Sequence, residues 1–209
     1  MDHETISREA RLLVLSAVLL LAACNRPEPG SEPMEGAEVA STAKPVNHED
    51  ETRRERSHTI ATLEGKSGSA LSGEAMFMEA DGGDVSFTLR VQNAPAGVHA
   101  VHIHENGDCS APDASSAGGH WNPASESHGR RGEGSFHAGD IENLEIGVDG
   151  TGSLSMTVAD WSLEETGNHS VLGRALVVHS GADDFRTQPD GAAGDRIGCG
   201  VIQRSGANP

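Results

Sequence analysis

Tyrosine is absent from this chain, and aromatic residues make up only 3% of its 209 positions. A tightly packed aromatic core is thereby disfavoured, and the 26 glycines suit short strands joined by many turns. Positive charge is scarce: 15 Lys and Arg face 32 Asp and Glu, for a formal charge of −17. That balance excludes nucleic acid as a partner, because phosphate backbones are bound by cations that this chain lacks. It also obliges any anionic substrate to find a local positive exception. No apolar run is long enough to cross a bilayer: residues 12–23, LLVLSAVLLLAA, fall well short of the ~20 required. Neither an internal repeat nor an amphipathic helix of useful length is found, so an all-β domain with tails is expected.

What the amino terminus does contain is Arg8 and Arg11, then that apolar run, then Leu21-Ala22-Ala23-Cys24. The ending resembles the lipobox of bacterial lipoproteins, where cleavage exposes the cysteine for lipidation. Residues 1–24 are therefore expected to be a lipoprotein signal peptide with Cys24 as the lipidation site. The expected location is the periplasm or cell envelope, with membrane contact only through that lipid. Residues 25–57 are rich in Pro, Glu and Ser and read as a disordered tether in which His48 is solvated. His58, beside it, reads as solvated too. With Cys24 assigned to lipid, Cys109 and Cys199 remain to pair in an oxidising compartment. Closing a loop of that length is worth roughly 4–5 kcal/mol.

The folded part, 58–205, opens with strand signals. Val85, Phe87, Leu89 and Val91 alternate with Ser86, Thr88, Arg90 and Gln92, and Leu154, Met156 and Val158 alternate with Ser153, Ser155 and Thr157. Further strands are expected at 60–63, 74–78, 98–104, 175–179 and 196–202, with turns at Asp81-Gly82-Gly83 and Asp149-Gly150. Two long stretches, 105–140 and 180–195, interrupt the pattern, and loops of that length in a small domain are usually functional.

Residues 98–104 read VHAVHIH. Successive strand side chains point to opposite faces, so His102 and His104 share the outer face while Val101 and Ile103 enter the core. His99 falls with Val101 and reads as a structural, hydrogen-bonding histidine. Downstream lie His120, His128, His137, Asp140 and His179, while His169 stands apart. Four imidazoles suit copper(II), and three imidazoles with a carboxylate suit zinc. Seven residues fill eight ligand positions only if one imidazole serves both metals.

The ordered motifs HAVHIH, GDCS, SAGGHWNP, SHG, HAGD, GRALVVH and AGDRIGCGVI give the chain from about Thr59 to Arg204 a resemblance to the Cu/Zn superoxide dismutases, in their exported bacterial form. The resemblance implies a Greek-key β-sandwich or barrel, immunoglobulin-like, with two long functional loops. It implies copper on His102, His104, His120 and His179, and zinc on His120, His128, His137 and Asp140, with His120 the shared bridge. Asp183 matches the carboxylate that orients two ligand imidazoles. Arg196 matches the arginine beside the open copper position.

The reaction so implied converts superoxide to dioxygen and hydrogen peroxide by one-electron cycling of copper, with zinc redox-inert and His120 carrying a proton. Arg196 and His120 are the expected catalytic residues, and the family is itself a standing example of electrostatic steering. Between Asp183 and Arg196 the only other cation is Arg186, a departure from the eukaryotic pattern. Monomer and homodimer both remain open. The rival reading is a non-catalytic periplasmic module that binds or buffers copper on the same fold. A zinc hydrolase is disfavoured, because such a site wants a water and a free general base beside one metal.

Overall fold

A computed structural model describes residues 58–206. The expected signal peptide, Cys24 and the whole of the expected tether, with His48, lie outside the described residues. Nine strands follow one another: β1 (Thr59–Gly65), β2 (Ser72–Glu79), β3 (Val85–Gln92), β4 (Gly97–His104), β5 (Asp140–Ile146), β6 (Gly152–Val158), β7 (Ala175–His179), β8 (Arg196–Val201) and β9 (Gln203–Arg204). The only helical pieces among the described residues are two 3-10 turns, Asp81–Gly83 and Ser115–Ala117.

The strands pair in the order β2-β3-β6-β5-β4-β7-β8-β1-β9, all antiparallel, and β1 also pairs with β2. The sheet therefore closes on itself as an eight-stranded barrel, with β9 as a short addition beside β1. Strands β4, β5 and β6 follow one another and β7 returns to lie beside β4, which is a Greek key. The all-β expectation thus holds.

Alternation decides what enters the barrel. In β3, Val85, Phe87, Leu89 and Val91 are buried, as are Val101 and Ile103 of β4 and Leu176 and Val178 of β7. The few aromatics gather: Phe77 and Phe87 lie 5.1 Å apart, and both pack on Trp161. A second, smaller apolar cluster forms on the outside of the barrel from Ala114, Ala117, Ala175, Val177 and Cys199, with Cys109 against it. Cys109 and Cys199 form a disulfide that ties the 105–139 loop to β8.

Strand β5 departs from expectation, since the long first loop was expected to run only through Asp140 and no strand was anticipated after it. Ile141, Leu144 and Ile146 do not alternate, and the pairing with β4 shifts between Ala100 and His102. A bulge there re-aims side chains, and the strand begins on Asp140 itself. The outer face of β4 is covered. His102 and His104 are both only 1% exposed, because the two long loops roof that face.

The first loop is braced by backbone. Ile103 N donates to Gly139 O, Trp121 N to Ile103 O and Gly139 N to Trp121 O, all at 2.8 to 2.9 Å. A side chain at Gly139 would strike the carbonyl of Ile103, so only glycine allows this approach.

Candidate metal centre

Two groups of ligand atoms converge at the end of β4. His102, His104, His120 and His179 form one, and His120, His128, His137 and Asp140 the other, with the atoms of each group within 4.8 Å of one another. Strand β4 supplies the first pair, β7 supplies His179, β5 begins with Asp140, and the first loop carries the remaining three.

Each ring is oriented by what holds its second nitrogen. His104 Nδ1 donates to Gly118 O at 2.9 Å, leaving Nε2 at 3.4 Å from His179 Nε2. His179 Nδ1 faces Gly194 O at 3.3 Å. His102 Nε2 and His128 Nε2 donate to the two oxygens of Asp183, at 2.8 and 2.9 Å. Asp183 therefore joins one ring of each group.

His120 is different, because both its nitrogens face ligand groups. Nδ1 is 2.9 Å from Asp140 Oδ1 and 3.3 Å from His137 Nδ1, on the second group's side. Its Nε2 is buried without any hydrogen-bond partner, as are His102 Nδ1 and His128 Nδ1. His128 Nδ1 lies 3.0 Å from Asp140 Oδ2 but outside hydrogen-bond geometry. Buried polar atoms are normally satisfied, so three orphaned imidazole nitrogens aimed into two clusters fit metal ions as their partners. Nitrogen-only donors in the first group suit copper, and three nitrogens with one carboxylate in the second suit zinc.

Electrostatics divide the groups. Burial, with neighbouring imidazoles, lowers His120 to about 4 and His179 to about 3, and pushes His104 well below its usual value. These rings stay neutral, the form that binds metal. Burial also disfavours charge on His128, but Asp140 and Asp183 outweigh it and raise it to about 10. Both carboxylates lie well below the usual range despite their burial, because imidazoles surround them. Asp140 Oδ2 further accepts from Gly129 N and His137 N, at 3.1 and 2.8 Å.

Arg196 stands beside His179, its register partner across β7 and β8. Its guanidinium donates to Ala114 O and Gly118 O, both at 2.7 Å. Together with His104, His120, His179, Asn122, Pro189 and Asp190 it lines a cavity of about 340 Å³ that opens on the first group. His99 lies outside both groups, with its ring nitrogens facing His179 O and Pro95 O. His169 faces Asp160 O, also away from them.

Sequence reasoning missed two amides. Asn143 grips the backbone of Asp183 through both its N–H and its C=O, and Gln188 grips His128 in the same way. Neither leaves a local sequence signal, since each acts on backbone at least 40 positions away.

Comparison with known proteins agrees with this geometry. A family model for copper/zinc superoxide dismutase matches residues 71–202. The superoxide dismutase-like protein YojM of Bacillus subtilis is 40% identical over 111 residues, which span 52% of this chain and 57% of that relative. A crystal structure of a double mutant of a dismutase-like protein from Bacillus subtilis superposes with a TM-score of 0.63 at 36% identity, covering 69% of this chain and 96% of that one. The clock protein EA4 superposes with a TM-score of 0.63 at 31% identity, over 71% of this chain and 94% of its own.

Proposed function

Since the chain belongs to the copper/zinc superoxide dismutase family, we propose that it is an active dismutase, turning superoxide into dioxygen and hydrogen peroxide. His102, His104, His120 and His179 hold copper in this reading, and His120, His128, His137 and Asp140 hold zinc. The single observation that carries it is His120, whose two nitrogens each face a different ligand group. Copper supplies the one-electron chemistry, and zinc, being redox-inert, supplies charge and structure.

The chain's own residues supply the rest. Arg196 is the positive exception in a chain of charge −17, fixed by two carbonyls at the cavity wall so that it draws in and orients the anion. His120 Nε2, whenever it is not bound to copper, would carry one of the two protons that hydrogen peroxide needs. The roofing loops bury most of the ligand rings, which strengthens the electrostatic contacts among them.

The second reading, a module that holds copper without turnover, draws on the relative's name, which says only dismutase-like. Two complete ligand groups and Arg196 favour the enzyme. Metal analysis of the purified protein with a superoxide decay assay decides between them. About one copper and one zinc per chain with fast decay supports dismutation, while full metal without decay hands the case to the copper-holding module.

We further infer an envelope location, with residues 1–24 as signal peptide, a lipid on Cys24 and residues 25–57 as tether. The lipobox-like ending and the Cys109–Cys199 disulfide support it, since disulfides persist in oxidising compartments.

A further inference from the structure

The second loop holds His128 at two ends. Asp183 takes the ring through Nε2 at 2.9 Å, and Gln188 takes the peptide. The Gln188 carboxamide accepts from His128 N and donates to His128 O, both at 2.8 Å, as a paired strand would.

This grip is built rather than incidental. Asp184 organises the turn that carries Gln188: its Oδ1 accepts from Arg186 N and Thr187 N, each at 2.8 Å, and its Oδ2 from Thr187 Oγ1. Gly191 N donates to Thr187 O and Asp184 N to Gly191 O, which closes the turn on itself. Gln188 Nε2 also donates to Arg186 O at 3.3 Å, so the carboxamide is aimed before it meets His128. Alongside, the Arg130 guanidinium covers the Phe185 ring at 3.8 Å and ties the same two loops.

We propose that Gln188 is a positioning residue for the second metal group, fixing where His128 Nδ1 points by clamping the peptide that carries the ring. A ring held only by Asp183 still pivots about that hydrogen bond; clamping its peptide as well removes the pivot. The Gln188 side chain hydrogen-bonds His128 and no ligand of the first group, so its effect falls on the second group. The proposal rests on reading the second group as a zinc site.

The test is metal release to a chelator from the copper- and zinc-loaded full chain, comparing the parent with Gln188→Met, which keeps length and loses both hydrogen bonds. Loss of an outer partner of a ligand costs about 10- to 100-fold in affinity. Zinc release is expected to quicken at least about tenfold while copper release changes less than about twofold. Cobalt(II) placed in the second group gives a second readout, with its visible absorption bands shifted in the variant. Equal zinc release in parent and variant, or loss of both metals together with lowered thermal stability, overturns the proposal. A parent that holds no zinc overturns the reading of the group itself. Should the variant not fold, amide exchange in the zinc-loaded parent decides: the His128 amide must be strongly protected, and fast exchange there refutes the clamp.

Discussion

Arg196 and His104 donate to the same carbonyl oxygen, that of Gly118, at 2.7 and 2.9 Å. One backbone group thus fixes both the cation at the cavity wall and a ring of the first ligand group. A substitution at Arg196 removes charge from the cavity while His104 keeps its own hydrogen bond.

Arg196→Ala is therefore expected to retain both metals and to lower the rate of superoxide consumption by about tenfold or more, the order of electrostatic steering. Arg196→Lys should fall between, since an ammonium restores charge without the planar fork that reaches two carbonyls. Added salt should slow the parent more than the Ala variant, because screening acts only on a field that exists. Full metal with an unchanged rate and unchanged salt response in the Ala variant would remove Arg196 from the mechanism.

Asp183 acts on both groups, where Gln188 acts on one. Asp183→Ala deprives His102 Nε2 and His128 Nε2 of their acceptor together, so copper and zinc affinity should both drop, by about 10- to 100-fold each. Competition against a chelator for each metal checks this. Loss of one metal alone would show that the two rings are oriented independently.

The reach of sequence reasoning can be traced through particular residues. The paired imidazoles of β4 were legible because strand parity is local, and so were the apolar faces of β3 and β6. Strand β5 was not, since a bulge breaks the alternation that reveals strands, and it does so to aim Asp140. The grip of Gln188 on His128 spans 60 positions and uses backbone atoms, which every residue carries. The ligand assignment rested on ordered motifs, because spacing alone offers no way to divide six histidines between two groups.

Gly191 is the tightest point of the second loop. Its backbone is left-handed, with φ of 67°, and an added methyl would strike the Asp183 carboxylate and come within 2.7 Å of His128 Nε2. Gly191→Ala should lose at least about 1–2 kcal/mol from the backbone alone. Chemical denaturation of the metal-free protein reads that loss, and zinc affinity should fall with it. A variant as stable as the parent would mean that the loop relaxes freely around Asp183.

The metal-free protein should be most stable near neutral pH, for two opposed reasons. His120 and His179 are lowered to about 4 and about 3 in the fold, so between about pH 6.5 and those values the unfolded chain binds protons that the folded chain refuses. Their contribution is present above pH 6.5 and lost on acidification, at up to about 1.4 kcal/mol per pH unit for each ring. His128 has the other sign: raised to about 10, it binds a proton when folded that the unfolded chain has released. Its contribution is present below pH 6.5 and is lost as pH rises through about 10. Asp140 and Asp183, both lowered, add to the loss on the acid side. Denaturant midpoints of the metal-free domain between pH 4 and 10 should therefore rise and then fall. A midpoint that climbs steadily to pH 10 would show that His128 is neutral between its two carboxylates.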